Sequence, residues 1–186
     1  MIRRYLPCIA VAALSSTPAF AASPTFSYLD LAYVTAGDGA DGGGLRASAA
    51  IGSRVFIQLD SAVRDHMDGT VGHASLGAGL RWPISDAIVV AFGLSADLVG
   101  GSFEGRNDSG WSGIGGGAGA SVELRACLNR HVELNAGARY ESVTDQVMPS
   151  AGARFYFSRG VGAGLRVVHD NFDTRVDLAL HINFGD

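Results

Sequence analysis

The chain of 186 residues contains no lysine, so all 14 of its basic side chains are arginines. With 18 acidic residues its net charge is −4, which argues against a nucleic-acid partner held by a basic surface. Beyond the first twenty-odd residues, no apolar run approaches the ~20 residues that a membrane-spanning helix needs. Helical membrane proteins are therefore excluded, and we expect no nucleic-acid partner.

The N-terminus has the features of a secretory signal. Two arginines at residues 3–4 precede an apolar stretch over residues 5–14, and Ala19 and Ala21 form an A-x-A cleavage pattern. We therefore expect residues 1–21 to be a signal peptide that is removed.

Cysteine is scarce, since Cys8 and Cys127 are the only two. Cys8 lies in the expected signal peptide, so the mature chain would keep Cys127 alone and could form no intramolecular disulfide. Removal of two arginines with the signal peptide leaves 12 arginines against 18 acids, which lowers the net charge from −4 to −6.

From Thr25 onward, apolar and polar residues alternate with a period of two, the pattern of β-strands whose faces have different surroundings. In the last such segment, Leu178 and Leu180 share one face, and Asp177 lies on the other. Turn-forming residues occupy nearly every interruption. The pattern predicts ten strands, at residues 25–35, 43–51, 55–64, 72–82, 87–98, 112–125, 132–142, 149–157, 161–169 and 174–184.

The charges lie on only one face of these strands, and eight acids match eight arginines there. These residues are Asp30, Arg46, Asp60, Arg64, Arg81, Asp97, Glu123, Arg125, Glu133, Arg139, Glu141, Arg154, Arg166, Asp170, Arg175 and Asp177. In a soluble sandwich the apolar face would be the core, whereas in an outer-membrane barrel it would meet lipid and the charged face would fill the lumen.

Three observations favour the barrel. The charged face is rich in glycine, which weakens an exposed strand but makes room inside a narrow closed barrel. The odd-numbered connections are longer as a group than the even-numbered ones, the asymmetry of outer-membrane barrels. Ten residues tilted by ~45° span about 23 Å, close to the ~25 Å apolar band of such barrels. We therefore predict that residues 22–186 form an all-β, transmembrane, antiparallel up-and-down barrel of about ten strands, with eight as the alternative.

A signal peptide, amphipathic strand pairs and a last strand ending apolar-x-apolar-x-Phe at Phe184 resemble the small, single-domain outer-membrane barrels of Gram-negative bacteria, the OmpA/OmpX-like class. The resemblance implies an outer-membrane location, contact with outer-membrane lipid and lipopolysaccharide, and recognition of Phe184 by the outer-membrane assembly machinery. The chain departs from that class in its ten predicted strands and in continuing to Gly185 and Asp186.

Eight acids and eight arginines in so narrow a lumen should pair, because an unpaired charge in a confined space is costly. We expect this network to plug a non-enzymatic barrel that serves envelope integrity or surface interaction. A narrow channel for ions or small solutes is the alternative, since ten strands enclose far less space than the 16–18 strands of aqueous porins.

A lipid A-modifying enzyme is the less favoured alternative. His73 and Ser75 lie two residues apart on one strand face and faintly resemble the His-Ser chemistry of outer-membrane lipid A deacylases. A serine nucleophile needs a base and a third group that orients the base, and the sequence places no carboxylate obviously in that role. We therefore predict no catalytic residues, and likewise no cofactor and no metal site.

The loop from Gly100 to Gly113 is the longest connection and is expected at the cell surface. Its Phe103 and Trp111 are candidate contacts for an extracellular partner that the sequence does not identify. Equally, Trp111 could belong to the aromatic girdle of the barrel.

Overall fold

The computed structural model describes residues 23–37, 39–66, 69–103, 111–169 and 174–184. The chain forms a closed barrel of ten antiparallel strands, each paired with its neighbours in sequence, and β1 pairs with β10 to close the ring. The up-and-down barrel and its ten strands are thus confirmed, and the eight-stranded alternative is wrong. No helix among the described residues is long and apolar enough to cross a membrane. The expected signal peptide lies outside the described residues.

The strands follow one another in chain order around the ring. They are β1 (Tyr28–Ala36), β2 (Asp41–Ile51), β3 (Val55–His66), β4 (Gly69–Ser85), β5 (Ile88–Phe103), β6 (Trp111–Asn129), β7 (Val132–Glu141), β8 (Gln146–Tyr156), β9 (Val161–His169) and β10 (Thr174–Asn183).

The two ends of the barrel differ in their connections. We call one the turn end, where short connections at residues 52–54, 86–87, 130–131 and 157–160 join the strands. We call the other the loop end, with connections at residues 37–40, 67–68, 104–110, 142–145 and 170–173. β1 begins and β10 ends at the turn end, because the number of strands is even.

The apolar residues of the alternating pattern lie on the outside of the barrel, and the polar residues lie on the inside. Leu94 and Leu178 are 71% and 51% exposed on the outer face, whereas Asp97 and Asp177 on the same strands are buried inside. A closed sheet leaves no hydrogen-bonding edge, so its outer surface can be entirely apolar. Aromatic side chains are exposed on the outer face near the turn end, at Trp82, Phe155, Phe157 and Phe184.

Three strands are longer than the sequence predicts by at least four residues: β4, β5 and β6 have 17, 16 and 19 residues. The predicted loop at residues 100–113 is correspondingly shorter, because Gly100 and Gly101 pair with Ile114 and Gly113. In a sequence, glycine is a typical turn residue. In this barrel, the backbone groups of Gly100 and Gly101 are instead paired with β6.

The first predicted strand begins too early. It was expected from Thr25, but β1 begins at Tyr28, and the preceding Phe26 is only 3% exposed. Residues 23–27 turn inward and pack Phe26 against Phe56 of β3, with ring centroids 5.1 Å apart.

Candidate functional site

Glu133 of β7 lies at the centre of a charged cluster inside the turn-end half of the barrel. Its Oε1 accepts hydrogen bonds from Arg125 Nε and Arg154 Nη1, both at 2.8 Å. Its Oε2 accepts one from the hydroxyl of Tyr156 at 3.1 Å. Both oxygens of a buried carboxylate are therefore satisfied, and two arginines share one acid.

The second arginine continues the network to the strand that closes the ring. Arg154 Nη2 donates to Asp30 Oδ2 at 3.1 Å, and Asp30 Oδ1 lies 2.5 Å from His181 Nδ1. The side chain of His181 is fully buried. We call the linked residues Asp30, Arg125, Glu133, Arg154 and His181 the turn-end cluster.

Aromatic rings support the turn-end cluster. The Arg125 guanidinium lies 4.6 Å from the Phe26 ring centroid, and the Arg154 guanidinium lies 4.7 Å from that of Tyr28. Arg125 Nη1 also donates to the Thr25 carbonyl at 2.7 Å. The inward-turned segment at residues 23–27 is therefore tied to the cluster by a hydrogen bond and a cation–π contact.

The loop-end half of the interior is more open. Its pairs are Arg46 with Asp60 at 3.0 Å and Arg175 with Asp177 at 3.0 Å, while Arg166 lies 3.9 Å from Asp60 and 4.0 Å from Asp177. These contacts surround a cavity of about 460 Å³. The cavity could hold a small ligand or a group of waters.

A third group of polar residues lies in the wall of this cavity, on β4, β5 and β7. Arg139 forms an ion pair with Asp97 and donates to Ser75 and Ser95, at 3.2 Å in both cases. Beside it, His73 Nε2 lies 3.2 Å from Glu141 Oε1.

This arrangement corrects one sequence-based interpretation. His73 does have a carboxylate beside it, because pairing through β5 and β6 brings β7 within reach of β4. Ser75, however, is 2% exposed, and its hydroxyl accepts a hydrogen bond from Arg139. A buried serine held in this way is not presented to a lipid substrate.

Most residues of the predicted charge network face the interior. These are Asp30, Arg46, Asp60, Arg64, Arg81, Asp97, Glu123, Arg125, Glu133, Arg139, Glu141, Arg154, Arg166, Arg175 and Asp177. Asp170 lies outside the described residues. Arg81 is apart from the others, since it donates to the carbonyls of Gly52 and Ser53 at the turn-end rim.

Phe103 ends β5 and Trp111 begins β6, where the two are register partners, so both belong to strands rather than to a free loop. Residues 104–110 between them lie outside the described residues. Phe184 is 62% exposed at the turn end, and its amide donates to the Ser27 carbonyl at 3.1 Å.

Sequence reasoning missed the parts of the interior that carry no formal charge or lie outside the strands. His181 shares the polar face of the last strand with Asp177, but a count of acids and arginines does not include it. Tyr156 also occupies the inward register of its strand, which the alternation could have revealed. Phe26 could not be found in this way, because it precedes β1 and its position depends on Phe56.

The sequence matches no protein-family model and no curated protein. Among solved structures, the chain is similar to the KdgM porin, with 8% identity, 85% of this chain and 99% of that chain covered, and a TM-score of 0.52. It is also similar to the KdgM porin in complex with disordered oligogalacturonate, at 11% identity over 85% and 99% of the two chains, with a TM-score of 0.50.

The N-terminal β-barrel domain of Pseudomonas aeruginosa OprF is similar as well, at 10% identity over 84% of this chain and 96% of that chain, with a TM-score of 0.50. At such identities the similarity concerns the fold alone. That fold is the outer-membrane β-barrel predicted from the sequence. Together with the apolar outer face, it places the protein in the outer membrane, in contact with lipid.

Proposed function

We propose that the protein is a non-enzymatic outer-membrane barrel whose lumen is plugged at the turn end, and that it serves envelope integrity or surface interaction. The observation that carries this proposal is the turn-end cluster. Its five residues are between 0% and 6% exposed, and they join β1, β6, β7, β8 and β10 across the interior.

The chemistry of the cluster supports a plug rather than a passage. An ion crossing the barrel would have to separate Glu133 from Arg125 and Arg154, which would leave buried charges without partners. Breaking a buried ion pair in this way is strongly unfavourable. The aromatic contacts of Phe26 and Tyr28 hold the same arginines in place.

A narrow channel for ions or small solutes is the second candidate, because the polar cavity of about 460 Å³ would form the loop-end half of a path through the barrel. Planar-bilayer recording separates the two. We expect the purified wild-type barrel to give no conductance steps, and the Arg125→Ala/Glu133→Ala double variant to give small steps. Glu123→Gln, which changes a carboxylate that lines the cavity, is the matched control and should stay silent. Regular conductance steps from the wild-type barrel would contradict the plug and favour the channel.

We further propose that the loop end faces the cell surface. Both termini would then lie in the periplasm, where Phe184 could be recognised by the assembly machinery, and lipopolysaccharide would meet the loop-end rim. The segment between Phe103 and Trp111 would be the surface for an extracellular partner.

Cysteine labelling on intact cells tests this orientation in a Cys127→Ser background. Ser109→Cys should react with a membrane-impermeant thiol reagent, because residue 109 belongs to a loop-end connection. Ser85→Cys, at the turn end, should react only after the outer membrane is permeabilised. Labelling of Ser85→Cys alone on intact cells would invert the topology.

The absence of an enzymatic role is part of the same proposal. The best nucleophile candidate, Ser75, is buried and hydrogen-bonded to Arg139. Expression of the protein should therefore leave the mass spectrum of lipid A unchanged. A shift in lipid A mass that disappears in Ser75→Ala would show the enzyme instead.

A further inference from the structure

We propose that His73, Asp97 and Glu141 form a binding site for a divalent transition metal, with Zn²⁺ as the physiological ion. We call these three residues the His73 cluster. One ligand atom from each lies within 4.8 Å of the other two. The residues come from β4, β5 and β7, so a bound ion would join three strands of the barrel wall.

The spacing suits a tetrahedral ion. His73 Nε2 and Glu141 Oε1 are 3.2 Å apart. Two ligands at ~2.0–2.1 Å from one tetrahedral Zn²⁺ are separated by about 3.3 Å. The ligand atom of Asp97 lies within 4.8 Å of the other two.

A buried carboxylate oxygen without a partner supports the site. Asp97 Oδ2 is buried and makes no hydrogen bond among the described residues, whereas His73 Nε2 and Glu141 Oε1 face each other at 3.2 Å. The Asp97 side chain is fully buried, and that of Glu141 is 3% exposed. Since unsatisfied buried polar atoms are uncommon in native proteins, this oxygen beside a histidine and a second carboxylate favours a bound cation.

The other oxygen of each carboxylate is held by the protein. Asp97 Oδ1 accepts from Arg139 and from Ser95 Oγ, and Glu141 Oε2 accepts from Thr144 Oγ1 at 2.9 Å. Metal-binding carboxylates are oriented by such second partners. With neutral His73, two carboxylates and Arg139 sum to a charge of −1, which favours a cation.

Glycines in β6 allow the turn that follows β7 to fold inward against the barrel wall. A Cβ on Gly117 would lie 2.5 Å from Val143 Cγ2 and 2.6 Å from Ser142 Oγ, so the turn at residues 142–145 folds inward over bare backbone. A Cβ on Gly119 would collide with Asp97 Oδ2 and would lie 2.6 Å from Ser95 Oγ. The missing side chains thus create the space in which the three ligand atoms meet.

The donor set selects the class of ion. One imidazole nitrogen and two carboxylate oxygens suit Zn²⁺ and related transition metals, whereas Ca²⁺ and Mg²⁺ prefer oxygen ligands alone. Because His73 and Glu141 also line the cavity, a fourth position would be available to water.

Isothermal titration with ZnCl₂, after EDTA treatment of the refolded barrel in detergent micelles, tests the site. We expect one Zn²⁺ per barrel and a Kd raised at least ~10-fold in His73→Ala and in Glu141→Gln. His73→Cys should retain binding, because a thiolate is also a zinc ligand. Glu123→Gln is the matched control and should bind as the wild type does.

Heat-modifiable electrophoretic mobility identifies the folded barrel of each variant before titration. X-ray absorption of the zinc-loaded wild type should show a nitrogen and oxygen shell with a single imidazole. The proposal is overturned if the folded wild type binds no stoichiometric zinc, if His73→Ala binds as the wild type does, or if His73→Cys loses binding as His73→Ala does. His73 and Glu141 would then be an ion pair only.

Discussion

The turn-end half of the interior holds the turn-end cluster, in which the charged side chains are buried and linked in one network. In the loop-end half, the pairs are looser and surround a cavity of about 460 Å³. Arg46 and Asp60, for example, remain 18% and 22% exposed. The same types of charged residue are used in both halves, so the charges by themselves do not account for the difference.

The aromatic residues do account for it. Phe26, Tyr28 and Phe56 occupy the turn-end interior and exclude water from the charges there. At the loop end, the cavity lining includes Gly100, Gly101 and Gly137, which add no side chain to fill it. Charged residues of the same kinds are thus tightly packed at one end and line a cavity at the other.

The largest loss of stability is expected from a substitution at the centre of the turn-end cluster. Glu133→Ala should lower the free energy of unfolding by about 3–5 kcal/mol, because it leaves Arg125 and Arg154 buried without their shared acid. Urea titration followed by tryptophan fluorescence measures the change. Glu123→Ala, at a carboxylate lining the cavity, should cost less than about 1 kcal/mol. Equal losses in the two variants would remove the distinction between the halves.

A charged substitution on the outer face should lower the free energy of unfolding by less than Glu133→Ala does, and by more than a substitution in the cavity does. Leu178→Arg places a charge among lipid-facing side chains, which should lower stability by ~2–4 kcal/mol if the site is near the midplane. Resistance of the folded barrel to urea is again the readout, and Leu178→Ala is the uncharged control. If Leu178→Arg unfolds at the wild-type urea concentration, the lipid-facing assignment of this strand is wrong.

The smallest effect is expected at the cavity pair. Asp60→Asn should lower the free energy of unfolding by about 1 kcal/mol or less, since the pair with Arg46 is partly solvated. The loss should shrink further at 1 M salt, where exposed charges are screened over ~3 Å. The loss in Glu133→Ala should persist at that salt concentration. A salt-independent loss in Asp60→Asn would show that the cavity is drier than its exposure indicates.

Much of the fold was predictable, because a period-two pattern assigns every residue of a strand to one of two faces. Glu133, Arg154 and Asp97 were placed inside on this basis alone, and ten strands were counted. Strand ends were less predictable. Gly100 and Gly101 read as loop in the sequence, yet pairing with β6 extends the strand through them.

The pairing of the charges could not be predicted in the same way. Alternation places Asp30 and Arg154 on the inner face, but they are 124 residues apart and meet only across the closed barrel. The His73 cluster has the same origin, since its three residues lie on three strands at distances along the chain that match no metal-binding motif. Sequence spacing reports neighbours within a strand, whereas these contacts depend on the register and closure of the ring.

The sequence by itself determined that this chain is a barrel with an apolar outer face and a charged inner face, because face identity follows from local alternation. Only the tertiary structure decided where the interior is filled. That depends on closure between β1 and β10, on the inward turn of Phe26 onto Phe56, and on the fold of residues 142–145 over Gly117. Each of these joins segments that are distant in sequence, so no local pattern specifies them.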